Sequence, residues 1–417
     1  MSIESTRAQR LILAAAVVGF AFRLGFGFVY WQHRPLTHDE REYLALAKSV
    51  SLGKGFVYDR REAEGVASQQ FGRAPGYPFF LVLIGAGRAD FEATPGRVKL
   101  AQSIVGAIGV WLVGLIACRS SGPRAGVAAA ALAAAYPPLV WICSYVFSEA
   151  LYSTMALGSV VLLNLAIDRT GGNRLWAAAP AIASGLVVGL AILVRPAMLL
   201  FLPVAGLWLI AHRRTPIAAA LIVAAALVVA PWTLRNARIY HQFVLVASEG
   251  GVTFWTGNHP RAKGEGDLAA NPDIKVADLA FRAQHPGMTA EELEPVYYRD
   301  AIRYIADHPL WWVGLLLKKA FYTVIPAGPS YALHSPLYRF VSIASYLLVL
   351  PLGVLGAELW RRGRHRPEAL LPLAASAVIV CIVFFPQERF RIPVLDPALI
   401  VCAGTWYGLR TRERIEI

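Results

Sequence analysis

The stretch 216–234, PIAAALIVAAALVVAPWTL, carries no charged side chain. A helix of that length, rising 1.5 Å per residue, crosses the ~30 Å hydrocarbon core of a bilayer. Working outward, comparable apolar runs lie near 11–30, 97–117, 124–142, 148–167, 175–193, 197–211, 338–360, 368–385 and 394–410. The 417 residues are 56% hydrophobic and only 16% charged, against roughly 25% charged in a soluble domain. Backbone groups in lipid must be satisfied within their own segment, so these runs are helices. The expectation is an all-α polytopic membrane protein of about ten transmembrane helices, with interfacial helices in the first outer loop and a small outer segment.

The net charge of +13 does not gather into a basic stripe with interleaved aromatics, so no nucleic-acid partner is expected. It lies in short connections: Arg119/Arg124, Arg169/Arg174, Arg213/Arg214, Arg361/Arg362/Arg364/Arg366 and Arg410/Arg412/Arg414. Basic connections mark the cytoplasmic side, which places both termini in the cytoplasm of a cell (inner) membrane protein. Arg7 and Arg10 precede the first run, and no small-residue cleavage site stands out before Trp31, so 11–30 reads as a retained first helix. The fifteen-residue run 197–211 decides the orientation of everything after it. Cys118, Cys143, Cys381 and Cys402 show no metal-ligand spacing and imply no disulfide framework.

Three units follow: 1–234, a transmembrane module containing the outer loop 31–96; 235–337, an outer segment; and 338–417, the C-terminal spans. In the first loop, Tyr43, Leu44, Ala47 and Val50 repeat at helical spacing, as in a helix lying in the interface. A short apolar stretch, 79–87, cannot span alone. In the outer segment, 290–307 reads as helix with Glu291, Glu292 and Glu294 near its start. The apolar run 309–326, broken by Lys318-Lys319 and led by Trp311-Trp312, reads as an interfacial helix.

On this threading Arg73, Arg195, Arg235, Arg389 and Arg391 all fall on the outer side, where basic residues are scarce. Each alone could pair with lipid headgroups. Five from separate connections suit a polyanion, because guanidinium grips phosphate oxygens in bidentate fashion. The pair Asp39-Glu40 stands just past the first run, and Glu149 opens the fourth. A carboxylate there can accept the proton of an attacking hydroxyl. The plainer roles are Asp39 as N-cap of a helix over 40–52 and Glu149 as a first-turn dipole partner behind Ser148. Which of Asp39 and Glu40 is the base stays open. His33, His38 and His259 match no metal motif, so no metal ligand is assigned and no cofactor is certain, a divalent cation remaining an open alternative.

The ordered set Asp39-Glu40…Tyr43, Arg73-Ala74-Pro75-Gly76-Tyr77-Pro78, Ser148-Glu149-Ala150-Leu151-Tyr152, Arg195-Pro196, Pro231-Trp232…Arg235-Asn236, Gly257-Asn258 and Arg389-Phe390-Arg391-Ile392-Pro393 resembles the C-type membrane glycosyltransferases. The branch it resembles holds protein O-mannosyltransferases and lipid A aminoarabinose transferases, the latter with Lys-Pro-Pro where this chain has Arg73-Ala74-Pro75. The resemblance implies a polyprenyl-phosphate-linked sugar donor, a lipid, glycan or protein acceptor, and inversion at the anomeric carbon. It implies Asp39 as general base with Glu40 and Glu149 assisting, and Arg73, Arg195, Arg389 and Arg391, joined by Arg235, on the donor phosphate. His38, Tyr43, Tyr77, Tyr152 and Asn258 complete the expected substrate contacts. The alternatives are an O-antigen-ligase-like enzyme with a lipid diphosphate donor, and a lipid or solute transporter. The second needs polar or broken mid-membrane helices, and these spans are almost uncharged at their centres.

Overall fold

The computed structural model of the protein describes residues 3–57, 72–169, 174–330, 335–362 and 368–413. Arg364, Arg366 and Arg414, the side chains of Arg174 and Arg412, and the middle of the first outer loop lie outside the described residues. The chain is 78% helical, with eighteen α-helices and no strand among the described residues. Thr6–Tyr30, Gly96–Ser121, Glu149–Asp168, Thr215–Tyr240 and Pro336–Arg362 are long and apolar enough to cross a membrane. Pro123–Ala135 with Pro137–Ser144 makes a sixth, bent by 63°. Shorter apolar helices, Ala178–Val194, Pro196–Ala211 and Leu370–Val383, and the helix Leu395–Glu413 fall on the other four expected runs. This is a multi-pass membrane protein.

Small residues let these helices close on one another, as packing in lipid requires. A Cβ on Gly185 or Gly189 would meet the Leu221 or Ala225 carbonyl of Thr215–Tyr240 at 2.5 or 2.8 Å. The Gly404 and Gly408 pair does the same against Ala125, at 2.6 and 2.7 Å.

The 63° bend has a local cause. Pro137 and Pro138 have no N–H, so the Ala133 and Ala134 carbonyls lose their helical donors. Arg23 replaces them: Nη2 donates to Ala133 O at 3.3 Å and Nη1 to Ala134 O at 3.5 Å, while Nη1 also reaches Gly19 O at 2.9 Å. It is fully buried within the first long helix. Arg23 is thus the exception to the rule of uncharged span centres, and its work is to stitch a broken helix.

Outside the bundle a second core forms from Trp255, Ile274, Leu293, Tyr297 and Ala301. The helix Ala290–Asp307 begins at a capping box between Thr289 and Glu292. The helix Pro309–Val324 follows it directly. The expected interfacial helix of the first loop is His38–Ser51, with Leu44, Leu46 and Ala47 buried.

Candidate active site

The helix His38–Ser51 gives Asp39 and Glu40 different partners. Thr37 is its N-cap, and Glu40, three residues on, closes a capping box. Glu40 Oε2 accepts from Thr37 N at 2.8 Å and Thr37 Oγ1 at 2.9 Å, and Oε1 accepts from Val146 N at 2.8 Å. Burial raises the Glu40 carboxyl above its ordinary value, against these hydrogen bonds. Both its oxygens are used in joining the helix start to the segment before Glu149. The cap is therefore Glu40 with Thr37, not Asp39.

Asp39 turns the other way. Its Oδ1 accepts from Arg73 Nη2 at 3.1 Å and its Oδ2 from Arg389 Nη1 at 2.7 Å. Burial alone would raise Asp39, but the Arg389 and Arg73 charges outweigh it and hold the carboxyl well below the usual range. Glu42, on the same helix face, takes Arg73 Nε at 2.9 Å and also bonds its Nη2. Glu249 Oε1 lies 3.4 Å from the same Nε, and the guanidinium stacks on Tyr43 at 4.8 Å.

Close backbone approaches bring the distant segments together. Ser248 N donates to Gly72 O at 2.7 Å. A Cβ on Gly76 would meet Val194 N at 2.8 Å. The Arg-Ala-Pro-Gly turn therefore presses on the residue preceding Arg195. Arg195 Nη1 pairs with Glu149 Oε1 at 2.8 Å and reaches Ser148 Oγ at 3.3 Å. Its guanidinium lies 4.9 Å from the Phe390 ring, which Arg389 flanks at 5.4 Å. Arg73, Asp39, Arg389, Phe390, Arg195 and Glu149 thus form one continuous chain of contacts. A small cavity of about 20 Å³ lies beside Glu149, lined also by Arg23, Cys143, Ser153 and Ile392.

Three expected site residues are engaged elsewhere. Arg391 is buried, donating to Asp396 Oδ1 at 2.8 Å and stacking on Tyr346 at 3.7 Å, while Tyr136 donates to Asp396 Oδ2 at 3.0 Å. Arg235 sits over Trp232 at 4.4 Å and donates to Asn236 Oδ1 at 2.9 Å. Asn258 is fully buried, bonding Phe254 O and Val383 O through Nδ2 and accepting Trp312 Nε1 and Lys319 Nζ on Oδ1. Arg391 and Asn258 hold helices together, whereas Arg235 is engaged with its own helix. Tyr77 packs edge-on to Tyr43 at 4.9 Å and donates to Gln102 Oε1 at 3.1 Å. Tyr152 is buried on the same helix as Glu149. His38 is exposed, 3.5 Å from Glu42 Oε1.

Glu42, Glu249, Asp267 and Gln387 belong to the site although the sequence reading did not single them out. Asp267 Oδ2 is 3.8 Å from Arg389 Nη2, and Gln387 Oε1 accepts from Arg389 Nε at 3.1 Å. Glu42 was within reach, because positions 39 and 42 share a helix face. His38, Asp39 and Glu42 also bring one ligand atom each within 4.8 Å of one another. The donor set is compromised, since guanidinium groups already hold both Asp39 oxygens and Glu42 Oε2.

Residues 75–234 match the family described as dolichyl-phosphate-mannose-protein mannosyltransferase. Among solved structures, the archaeal oligosaccharyltransferase AglB from Archaeoglobus fulgidus, in complex with an inhibitory peptide and a dolichol-phosphate, superposes with a TM-score of 0.59. It is 15% identical, over 96% of this chain and 50% of that one. The fold is that of the C-type glycosyltransferases. The same enzyme with Zn and sulfate superposes with a TM-score of 0.58 at 15% identity, covering 96% and 49% of the two chains. ArnT from Cupriavidus metallidurans bound to undecaprenyl phosphate gives 0.45 at 15% identity, covering 96% and 77%. This chain thus spans about half the length of the AglB chains it matches. No curated protein matches its sequence.

Proposed function

We propose that this protein is an integral membrane glycosyltransferase that moves a sugar from a polyprenyl-phosphate-linked donor to a lipid, glycan or protein acceptor at the extracytoplasmic face. The observation that carries the reading is Asp39, held on opposite oxygens by Arg73 and Arg389 from remote parts of the chain. The partial match to a family named for dolichyl-phosphate-mannose, and a C-type fold found in a dolichol-phosphate complex, support it. On this reading the termini are cytoplasmic, 31–96 carries the catalytic loop, and 235–337 lies outside.

A base held so far below the usual carboxylate range is inert at rest. A donor phosphate drawing Arg389, alongside Arg195, onto its oxygens weakens the largest of the charges that keep Asp39 acidic. Asp39 then accepts the acceptor's hydroxyl proton as that oxygen attacks the anomeric carbon from the face opposite the phosphate. The bond from carbon to phosphate oxygen breaks, configuration inverts, and the electron pair leaves on the phosphate beneath the guanidinium groups. Glu149 keeps Arg195 aimed at that position, and Glu42 does the same for Arg73. Arg391 and Asn258, buried and bonded elsewhere, and Arg235, engaged with its own helix, make no direct contact in this step. At rest arginines hold both Asp39 oxygens and Glu42 Oε2, so the step is written with protein groups alone.

The test is a labelled polyprenyl-phosphate sugar presented to the purified protein with envelope extracts as acceptor. Free polyprenyl phosphate should appear together with label on a second molecule, and Asp39→Asn should stop both. Movement of intact donor across the bilayer without cleavage would make the protein a transporter instead.

A further inference from the structure

Lys319, in the helix Pro309–Val324, is completely buried, yet no carboxylate stands within ion-pair distance among the described residues. Its Nζ donates to Asn258 Oδ1 at 3.0 Å and Val383 O at 3.3 Å. Asn258 Nδ2 donates to the same Val383 carbonyl at 3.0 Å and to Phe254 O at 2.8 Å. Trp312 Nε1 completes Asn258 Oδ1 at 3.0 Å. Burial pulls the amine down to about 7, so the placement carries a cost that packing alone does not explain.

The reason lies in the helix it caps. Val383 ends the helix Leu370–Val383. Pro386, three residues on, has no N–H to continue the ladder and disfavours a helical Phe385. The last carbonyls of that helix are orphaned, and a cation with an amide at a helix C-terminus satisfies both their lone pairs and the dipole. The approach is tight: a Cβ on Gly257 would meet Phe384 O at 1.9 Å. The end of the helix Gly250–Asn258 is thereby pinned to the start of the loop that carries Arg389.

Both arms of the candidate site leave from this point. One runs from Val383 along the loop to Arg389 on Asp39 Oδ2. The other runs back along Gly250–Asn258 to its N-cap Glu249, beside Arg73 on Asp39 Oδ1. We propose that Lys319 and Asn258 are positioning residues that set the spacing of Arg73 and Arg389 across Asp39, and with it the shape of the donor-phosphate site. This rests on the glycosyltransferase reading.

The experiment uses the full chain in nanodiscs with a polyprenyl-phosphate sugar. Lys319→Met and Asn258→Ala should each raise the donor KM about tenfold with kcat changed less than about threefold. The double variant should be no worse than the weaker single, because the pair acts as a unit. Lys319→Gln, which keeps a donor without the charge, should restore most of the affinity even if Lys319→Met folds poorly. Hydrogen exchange should quicken at 384–391 and 249–258 in Lys319→Met. An unchanged KM in a folded Lys319→Met or Asn258→Ala, or losses that multiply in the double variant, would overturn the proposal. Absence of turnover in the wild type removes the glycosyltransferase reading but leaves the hub to hydrogen exchange, where unchanged rates at 384–391 overturn it.

Discussion

Arg389 and Arg391 stand two residues apart on one short helix, Glu388–Arg391, and meet opposite fates. Arg389 is 27% exposed and shares Asp39 with an arginine from another part of the chain. Arg391 is 5% exposed and pairs with Asp396, five residues on, whose other oxygen Tyr136 holds. The two clusters contain the same kinds of group. What separates them is whether a newcomer can enter. An arginine whose carboxylate is itself contested can exchange that partner for a phosphate, whereas a deeply buried pair cannot without leaving an unpaired buried charge. The first cluster is read as chemistry and the second as a strut.

Substitution within the two clusters tests this contrast most severely. Asp39→Asn should lower transfer by about 10³-fold, since it deletes the proposed general base, with helix content and melting temperature near wild type. Retained turnover would transfer the base role to another group. Arg391→Met comes next: it strands Asp396 in the bundle and should cost about 3–5 kcal/mol of stability, while the folded fraction keeps its donor KM. A stable Arg391→Met protein with weakened donor binding would abolish the distinction and return Arg391 to the phosphate. Arg389→Lys should raise the donor KM about tenfold, because lysine keeps the charge and loses the fork. No change in KM would mean that Arg389 holds Asp39 and nothing else.

Much of the fold was legible because lipid enforces a simple rule: apolar runs of sufficient length become helices. Helices stand on all ten expected runs, and those of the outer loops lie where spacing placed them. The broken span was not foreseen, although Pro137-Pro138 announces it, because its stabiliser Arg23 is remote in sequence. Within the site, Asp39, Arg73, Arg195, Arg389 and Glu149 were named from residue type and side of the membrane, and the structure joins them. Side of membrane could not separate Arg389 from Arg391, nor Asp39 from Glu40. Those distinctions depend on long-range partners, Tyr346 and Tyr136 around the Arg391–Asp396 pair and Val146 at Glu40, which spacing does not encode; the Thr37–Glu40 capping box alone was readable from its spacing. Glu249 and Asp267 were invisible for the same reason, lying in turn-rich outer segments far from the motif residues.

The smallest expected effect concerns the open cluster's outer wall. Glu294 Oε1 accepts from Gly251 N at 3.3 Å, tying Ala290–Asp307 to the helix whose N-cap faces Arg73. Burial lifts Glu294 from an ordinary 4.5 to about 7, helped by the neighbouring Glu249 and Glu291 charges and opposed by the Gly251 hydrogen bond. A carboxyl raised on folding holds a proton that the unfolded chain has released. Its stabilisation is complete below about 4.5 and is lost as pH rises through about 7. Hydrogen-exchange protection of residues 250–258 should therefore fall across that window, and Glu294→Gln should flatten the profile. Glu388, beside the Arg391–Asp396 strut, is itself lifted to about 7 by burial, so the control is the substitution: Glu294→Gln should leave the exchange profile of residues 388–396 as it was. A change there would mean that the two clusters melt as one unit, and that the boundary drawn between chemistry and support does not exist.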